Sequence, residues 1–357
     1  MSRERVVVAM SGGVDSAVAA ARCVAAGFDV VGISLRLAPG GVGSCCSLDD
    51  FHDARATAER LGFPHYVFDM TDAFARHVMR PFVAEYLAGR TPNPCARCNE
   101  HVKFGLLWER ARELGAARLA TGHYARVGVD PESGRHCLRT AVDVTKDQSY
   151  FLFMLDEPTL ARTLFPVGGS TKAEVRAEAR ALALPVADKP ESMEVCFVPG
   201  GDAAAFVERE AAGRLRSGPI VDETGHEVGR HGGVHRFTVG QRRGLGVAAG
   251  TPRYVRAIDA AHATVTIAPA ARMRARGLVA RDTRWVAGTP PAAGTRFGAR
   301  IRHRHAPVPA RLVAVAGDEA RVAFAEGGGP AVTPGQAAVF YDGDRVLGGG
   351  WIAEELA

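Results

Sequence analysis

One stretch near the N-terminus carries most of the structural information: Val6-Val7-Val8-Ala9-Met10-Ser11-Gly12-Gly13-Val14-Asp15-Ser16. Its apolar residues predict a short buried strand, an apolar helical pattern follows the glycines, and Gly27 stands where a glycine cap would end that helix. The two glycines allow a sharp turn close to a ligand, and the N-terminus of the helix favours an anion. We therefore expect a phosphate cradle in which Ser11 and Ser16 donate hydrogen bonds and Asp15 holds Mg²⁺.

No Gly-Lys-Ser/Thr triplet follows these glycines, so the cradle is not the P-loop of kinases and GTPases. The hexapeptide from Ser11 to Ser16 resembles instead the signature of N-type ATP pyrophosphatases, which cleave ATP between its α and β phosphates. The alternative is an ordinary Ser/Gly turn that opens a Rossmann-like helix.

Length and composition indicate a globular protein of two or three domains. The chain has 357 residues, of which 47% are hydrophobic and 23% charged, and no apolar run approaches a membrane span. The N-terminal apolar run is too short for a signal peptide, so we expect a cytoplasmic protein without a membrane partner. Seven cysteines, an odd number without an export signal, argue against a disulfide framework.

The N-terminal part alternates between strand and helix patterns. Strand patterns cover 28–35, 65–68 and 118–121, and helical patterns open at Ser47, around 73–87 and 99–114, and at Thr171 with Glu174. Such alternation predicts an α/β fold with a doubly wound parallel sheet, whose ligand lies at the carboxyl ends of the strands.

After Gly200 the helix patterns fade, and short runs at Val234–Val239 and Thr264–Ala268 resemble strands. Frequent turn signals from about Val286 onward predict a small β-barrel. We therefore expect an ATP-pyrophosphatase domain over 1–203, a small β-rich central domain over 204–284 and a C-terminal β-barrel over 285–357.

Positive charge is concentrated in two places. No acidic residue occurs from Val228 to Ile258, a stretch that contains Arg230, Arg236, Arg242, Arg243, Arg253 and Arg256. In the second cluster, a strand would project Arg300, Arg302 and Arg304 from one face. Such patches suit a phosphate backbone, and a solvated basic surface is an equal alternative.

The cysteines suggest sulfur chemistry. Cys98 follows a proline-restricted loop near a helix N-terminus, where the helix dipole and Arg97 favour a thiolate, and Cys196 follows a second proline-restricted segment. ATP would turn a carbonyl oxygen into a leaving group that a sulfur nucleophile displaces. The alternatives are a structural zinc site on Cys95 and Cys98, and a buried hydrophobic role for Cys196. Cys23 is assigned to the core.

These segments together resemble those of the bacterial tRNA-specific 2-thiouridylases, and the match runs nearly end to end. The matching segments are 9–16, 89–94 with Cys98-Asn99, 121–124, 146–152, 189–192 leading to Cys196, 237–245, 333–337 and 339–341. That family makes 2-thiouridine at the wobble position of certain tRNAs, using ATP, Mg²⁺ and sulfur from a cysteine-desulfurase relay.

The resemblance implies a role for each matching residue. ATP would contact Ala9, Met10, Ser11, Gly12, Gly13, Val14, Asp15, Ser16, Leu35 and Gly122. The target base would face Asn93, Pro94 and Cys95, and the tRNA would meet His123, Lys146, Asp147, Gln148, Arg302, His303 and Gln336. Cys196 would carry the persulfide, and Cys98 would complete the transfer through a transient Cys98–Cys196 disulfide.

The chain departs from many relatives at Cys95, where they carry an aspartate with an acid–base role. Cys95, Cys98 and Cys196 are therefore an alternative ligand set for an iron–sulfur cluster. Two other functions compete with thiolation. One is a different adenylating synthetase with the same cradle, and the other is a nucleotide-dependent RNA-binding module without chemistry.

Overall fold

The computed structural model describes residues 3–38, 47–191, 195–248 and 250–356, so Cys45, Cys46 and Ser192 lie outside it. The strands are β1 (Arg5–Ala9), β2 (Asp29–Arg36), β3 (His65–Asp69), β4 (Arg118–Thr121), β5 (Ala125–Val129), β6 (His136–Thr140), β7 (Thr163–Leu164), β8 (Gly218–Val221), β9 (Glu227–His231), β10 (Arg253–Asp259), β11 (Thr264–Pro269), β12 (Gly277–Trp285), β13 (Arg296–Arg300), β14 (Val308–Ala316), β15 (Glu319–Phe324), β16 (Ala337–Asp342) and β17 (Arg345–Glu355). The α-helices are α1 (Val14–Ala25), α2 (Leu48–Leu61), α3 (Thr71–Phe74), α4 (Arg80–Leu87), α5 (Pro94–Arg97), α6 (Leu107–Glu113), α7 (Glu157–Ala161), α8 (Lys172–Ala181) and α9 (Ala203–Glu210). Within these ranges, no helix has both the length and the apolar character needed to cross a membrane.

The N-terminal sheet is parallel throughout, with the strand order β3-β2-β1-β4-β7. Strand β1 lies at the centre of this sheet. Its residues Val6, Val7 and Val8 are therefore fully buried, with helices packed on both faces of the sheet. Strands β2 and β3 are added on one side of β1, and strands β4 and β7 on the other. The strand order therefore reverses between β1 and β4, and such a switch point forms a ligand crevice at the carboxyl ends of the strands. The predicted doubly wound fold is confirmed.

Local signals set the helix ends as expected. Ser47 caps α2 in a reciprocal capping box with Asp50, and Thr171 caps α8 in the same way with Glu174. Gly27 directly follows Ala26, the C-cap residue of α1, and its φ of +85° is the left-handed conformation that ends many helices. These short-range hydrogen bonds make the helix boundaries readable from sequence.

The helices expected around 73–87 and 99–114 are both interrupted by π-helical segments. These segments are Ala75–Met79 and Cys98–Leu106, and they pack against each other. The second helix also begins earlier than expected, at Pro94. π-Helical turns are rare and occur frequently at functional sites, so this packing marks the region around Cys98 for attention.

A closed β-barrel forms the C-terminal part of the protein. Its order is β12-β15-β14-β13-β16-β17, closed by pairing of β12 with β17, and the predicted barrel is confirmed. The antiparallel hairpin β5–β6 extends the same sheet, with Arg139 of β6 opposite Arg345 of β17. This hairpin lies between β4 and β7 in the chain, and its sequence pattern gave no sign that it joins the barrel.

The central sheet has the order β10-β11-β8-β9. The strand predicted at Thr264–Ala268 is confirmed as β11, but the strand predicted at Val234–Val239 is wrong, since a 3₁₀ turn covers Val234–Arg236. The physical reason is that Val234 and Phe237, three residues apart, both enter the core of this domain. The domain boundaries at residues 203 and 284 stay predictions.

The barrel and the parallel-sheet domain share one apolar core. Val7 of β1 and Val339 of β16 belong to the same buried cluster, together with Phe153 from the segment between β6 and β7. Phe153 is 1% exposed and packs edge-on against Trp351 of β17, with ring centroids 5.6 Å apart. The barrel is therefore packed on the parallel sheet through a continuous apolar interface.

Replacing Gly349 by alanine is expected to strain this interface. A Cβ at Gly349 would lie 2.7 Å from Cδ2 of Phe153 and 2.5 Å from the carbonyl oxygen of Ala338. We expect overpacking to lower the free energy of unfolding by about 1–3 kcal/mol, measured by urea denaturation. Gly169→Ala is the control, since a Cβ there meets nothing within 4 Å. Equal unfolding midpoints for the two variants would contradict the close packing.

Candidate active site

The turn after β1 forms a compact loop lined by hydroxyl groups. The hydroxyl of Ser16 donates to the carbonyl oxygen of Gly13 at 3.0 Å and accepts from the N–H of Ser11 at 3.2 Å. Ser16 is buried beneath the loop, whereas Ser11 is exposed at its rim. Helix α1 begins at Val14, and the first N–H groups of an α-helix have no partner within it. The loop therefore presents N–H groups and a hydroxyl to an anion.

Close backbone contacts require glycine at two positions of this crevice. Gly12 has a φ of +71°, and a Cβ there would lie 2.3 Å from the carbonyl oxygen of Asp50 at the start of α2. A Cβ on Gly122, just after β4, would lie 2.7 Å from the backbone nitrogen of Ser16. The residue after β4 is thus in direct contact with the first turn of α1.

An alternating chain of charges starts in the first turn of α1. Nζ of Lys172 lies 2.7 and 2.8 Å from the two carboxylate oxygens of Asp15. The same ammonium group lies 2.9 Å from one oxygen of Glu191, and Nζ of Lys146 donates to the other oxygen at 2.6 Å. The hydroxyl of Tyr124 also donates to Asp15, at 2.8 Å. The two carboxylates and the two ammonium groups of this charge network therefore have equal and opposite total charge.

The pKa values of Tyr124 and Glu191 in this charge network are shifted in opposite directions. Burial, and then the charge of Asp15, raise the pKa of Tyr124, so its hydroxyl stays a donor. Burial also tends to raise the pKa of Glu191, but hydrogen bonds from Lys146 and Lys172 lower it below its ordinary value overall. The sequence analysis did not identify Lys172, Glu191 or Tyr124 as site residues. The available signal was the rarity of lysine in this chain.

Asp15 is the carboxylate that would hold a Mg²⁺ ion carried by ATP. Mg²⁺ usually takes one or two carboxylates together with substrate phosphates, and the position of Asp15 in the first turn of α1 fits that pattern. In this conformation Lys172 binds both carboxylate oxygens, so metal and ammonium compete for them. The Mg²⁺ role of Asp15 stays a prediction.

Cys98 and Cys196 lie in one apolar cluster. Cys98 is 7% exposed at the start of the second π-helical segment, and Cys196 is half-buried at the edge of the cluster. Phenylalanine rings build the interior, with Phe197 edge-on to Phe74 and Phe82 at centroid distances of 5.5 and 5.1 Å. The fold therefore places two cysteines that are far apart in the sequence in the same apolar cluster.

Cys95 has a different environment, because it is exposed. The side-chain oxygen of Asn93 caps α5 by accepting from the N–H of Ala96 at 3.2 Å, and Pro94 takes the first helical position. Cys95 therefore lies in the first turn, and Cys98 lies one turn further along. Leu35, near the end of β2, packs against the cluster that contains Cys98.

Cys95, Cys98 and Cys196 lie within the described residues, and no metal-ligand group found there includes them. Across the described ranges, no three His, Cys, Asp or Glu side chains are arranged to hold a metal ion. Cys95 is exposed and Cys98 is buried in an apolar cluster, and the zinc and iron–sulfur alternatives stay untested predictions. Burial raises the pKa of the Cys23 thiol to about 12, in agreement with a core role.

Residues of the central domain and of the barrel contact the loop that leads into α5. The side-chain nitrogen of Gln336 donates to the carbonyl oxygens of Thr91 and Pro92 at 3.0 and 3.1 Å. The N–H of Thr91 donates to the carbonyl oxygen of Pro334 at 2.8 Å, and its hydroxyl donates to Thr238 at 3.0 Å. Both later domains thus fix the loop that carries the predicted target-base residues.

The segment around Asp147 joins the crevice to the barrel. Asp147 is 4% exposed and accepts from Nη1 of Arg300 at 2.8 Å. The side-chain oxygen of Gln148 accepts from the N–H of Tyr124 at 2.9 Å, and Nε2 of His303 lies 3.2 Å from the carbonyl oxygen of Asp147. Asp147, Gln148 and His303 therefore make contacts within the protein, and their tRNA roles stay predictions.

The single arginine face expected for Arg300, Arg302 and Arg304 does not form. Strand β13 ends at Arg300, and the following residues turn. The guanidinium of Arg302 donates to the carbonyl oxygen of Val239 at 2.8 Å and to the hydroxyl of Thr333 at 2.7 Å. Arg300 and Arg302 therefore have different polar partners within the protein.

Most arginines in the acid-free stretch pair with glutamates from outside it, namely Arg230, Arg236, Arg253 and Arg256. Arg242 and Arg243 are exposed, and the described part of the chain offers them no ion pair. The positive surface of the central domain is therefore narrower than the sequence suggested, and these two side chains are its centre.

Three family profiles match the chain in tandem. A tRNA methyl transferase HUP domain matches residues 4–200, a tRNA methyl transferase PRC-barrel domain residues 204–269, and an aminomethyltransferase beta-barrel domain residues 275–352. The tRNA-specific 2-thiouridylase MnmA of Geotalea uraniireducens is 52% identical over 359 aligned residues, which cover 98% of this chain and 95% of that protein. The chain belongs to the tRNA-specific 2-thiouridylase family.

Other 2-thiouridylases are similarly close. The proteins of Solibacter usitatus and Sorangium cellulosum are 50% and 49% identical, each across 99% of this chain and across 100% and 94% of the relative. Among solved structures, a 4-thiouridine synthetase–RNA complex with bound ATP is 15% identical and covers 58% of this chain and 50% of that chain, with a TM-score of 0.35. So weak a structural similarity supports no conclusion about function.

Replacing Gly122 by alanine is expected to weaken ATP binding. The new Cβ would push against the backbone at Ser16 and Asp15, at 2.7 and 2.8 Å, and so open the switch-point crevice. We expect the dissociation constant for ATP to rise about tenfold or more, measured by calorimetric titration. Gly169→Ala should bind ATP like the wild type. Unchanged affinity in Gly122→Ala would show that the nucleotide does not depend on this contact.

Stability is expected to fall on mild acidification, in part because of His123. Burial, followed by the charge of Lys103, holds the pKa of His123 well below 6.5. Below pH 6.5 the unfolded chain binds a proton at this position and the folded protein does not, so stability decreases as pH falls, by up to about 1.4 kcal/mol per pH unit. His123→Asn should show a shallower decrease in urea denaturation between about pH 7 and 5.5. An identical slope would contradict this assignment.

Proposed function

We propose that the protein is an ATP-dependent tRNA uridine 2-sulfurtransferase that forms 2-thiouridine at the wobble position. One observation carries the proposal. Glu191 contacts Lys172, which binds Asp15 of the phosphate loop, and five residues further along the chain Cys196 packs in the cluster that contains Cys98. Nucleotide and thiol chemistry therefore meet at one segment. Family membership supports the same conclusion.

The first step would activate the uridine. Oxygen O2 of the base attacks the α-phosphorus of ATP, the bond to the β-phosphate breaks, and pyrophosphate leaves. The N–H groups at the start of α1 and the ammonium of Lys172 would stabilise the charge that develops on the phosphates. Mg²⁺ would supply further charge neutralisation. The products of this step are an adenylated base, electrophilic at C2, and pyrophosphate.

The second step would transfer sulfur. The terminal sulfur of a Cys196 persulfide attacks C2, and AMP leaves with the former O2. The Cys98 thiolate then attacks Sγ of Cys196 and breaks the S–S bond, which leaves the sulfur on C2 and yields a Cys98–Cys196 disulfide. An external thiol must reduce this disulfide before the next turnover. We assign the persulfide supply to a cysteine desulfurase or a persulfide carrier protein, and the site of action to the cytoplasm.

The tRNA would present its anticodon loop to the crevice. A single-stranded loop allows the wobble base to be turned out of the stack, as enzymes that act on bases require. Cys95 is exposed beside Asn93 and Pro94, which supports the proposal that these three residues face the base. The residues proposed to meet tRNA are His123, Lys146, Asp147, Gln148, Arg302, His303 and Gln336, of which His123 and Asp147 are buried in this conformation. Arg242 and Arg243 would add contacts to the phosphate backbone.

Direct reconstitution tests the proposal. The protein is incubated with tRNA, ATP, Mg²⁺ and a persulfide source, and the tRNA nucleosides are analysed by mass spectrometry. We expect an oxygen-to-sulfur mass increase at the anticodon uridine and release of pyrophosphate. Binding of tRNA and ATP without pyrophosphate release would indicate an RNA-binding module without chemistry. Iron and acid-labile sulfide assays on anaerobically purified protein test the cluster alternative.

Cysteine variants separate the two steps. Cys196→Ser should release pyrophosphate with tRNA but lose about a hundredfold or more of the thiolation rate, because activation needs no thiol. Cys98→Ser should behave similarly, whereas Cys137→Ser, at a buried position in the hairpin β5–β6, should keep wild-type thiolation. Full thiolation by Cys196→Ser would refute the persulfide route and favour another adenylating reaction.

A further inference from the structure

Glu191 bridges two ammonium groups with a single carboxylate. Its two oxygens lie 2.9 Å from Nζ of Lys172 and 2.6 Å from Nζ of Lys146. Lys172 and Glu191 are largely buried, with side-chain exposures of 11% and 28%. Two ammonium groups that converge on one oxyanion also suit a phosphate group, which accepts charge-assisted hydrogen bonds through several oxygens.

The bridge lies next to the phosphate loop. Lys172 binds both oxygens of Asp15, the second residue of α1, and so connects Glu191 directly to the first turn of that helix. The four charged groups Asp15, Lys172, Glu191 and Lys146 sum to zero. A phosphate added beside them would meet a neutral cluster, but departure of Glu191 would leave one net positive charge for it.

Lysine is rare in this chain, and its distribution points to the same place. Only four of the 44 basic residues are lysines, at positions 103, 146, 172 and 189. Lys189 also pairs beside the loop, with Asp50, whose carbonyl oxygen packs on Gly12. An ammonium is a compact charge with three rotatable donors, whereas a guanidinium holds a carboxylate in a fixed planar fork. Lysine therefore suits a position where one anion replaces another.

We propose that Glu191 occupies, in the nucleotide-free protein, the place of a phosphate group between Lys146 and Lys172, and that the phosphates of ATP or pyrophosphate displace it. This inference rests on the proposed function, since it defines a subsite for the leaving group of that reaction. In this exchange Lys172 gives up its contact with Glu191 for one with a phosphate oxygen.

Calorimetric titration with pyrophosphate, ATP and AMP tests the competition. Glu191→Gln should bind pyrophosphate and ATP about tenfold more tightly than the wild type, because the internal competitor is gone, with AMP affinity unchanged. Glu191→Asp, whose shorter arm cannot span both ammonium groups, should show a smaller gain and provides the readout if Glu191→Gln does not fold. Equal or weaker pyrophosphate binding by both variants would overturn the inference.

Two controls separate displacement from a general charge effect. Glu319→Gln removes the same charge from the barrel, where Glu319 pairs with Arg281 and Arg321, and should leave pyrophosphate affinity unchanged. In a Lys146→Met background the gain from Glu191→Gln should vanish. A gain in Glu319→Gln, or one that persists without Lys146, would refute the bridge. Thiolation by wild-type protein without the pyrophosphate effect would reject only this inference, and the effect without thiolation would reject only the proposed function.

Discussion

The buried ion pair between Asp147 and Arg300 holds the catalytic crevice and the barrel in register. Their side chains are 2% and 16% exposed, so loss of either partner would leave an unpaired buried charge at a cost of about 3–5 kcal/mol. The pair adds little net stability, and its importance is positional. Lys146 and Gln148 flank Asp147 in the chain, and they reach Glu191 and Tyr124 respectively. The charge chain at the phosphate loop therefore depends on a contact made with the barrel.

Two environments of opposite character meet in the crevice. On one side, Asp15, Lys172 and the N-terminus of α1 form a polar surface suited to phosphates. On the other side, Cys98 and Cys196 lie among phenylalanine rings. An activated base is readily hydrolysed, and an apolar thiol environment limits the access of water to it. The division of the site thus matches a reaction that needs strong charge in one step and dryness in the next.

Short-range signals made much of the fold predictable. The capping residues Ser47 and Thr171, and the strand–glycine–helix pattern of the phosphate loop, specify structure within a few residues. Long-range placement was not predictable in the same way. The 3₁₀ turn at Val234, the end of β13 at Arg300 and the salt bridge from Lys172 to Asp15 depend on partners far away in the sequence. Periodicity carries no information about such partners.

The apolar interface around Phe153 makes the barrel necessary for the stability of the parallel-sheet domain. Because Val7 of the central strand and Val339 of β16 share one buried cluster, neither half completes its interior alone. A protein truncated before β12 would expose this apolar interface to solvent, and an exposed surface of that kind favours aggregation. The C-terminal barrel is for this reason a structural part of the nucleotide-binding unit, and a fragment that lacks it is expected to be insoluble.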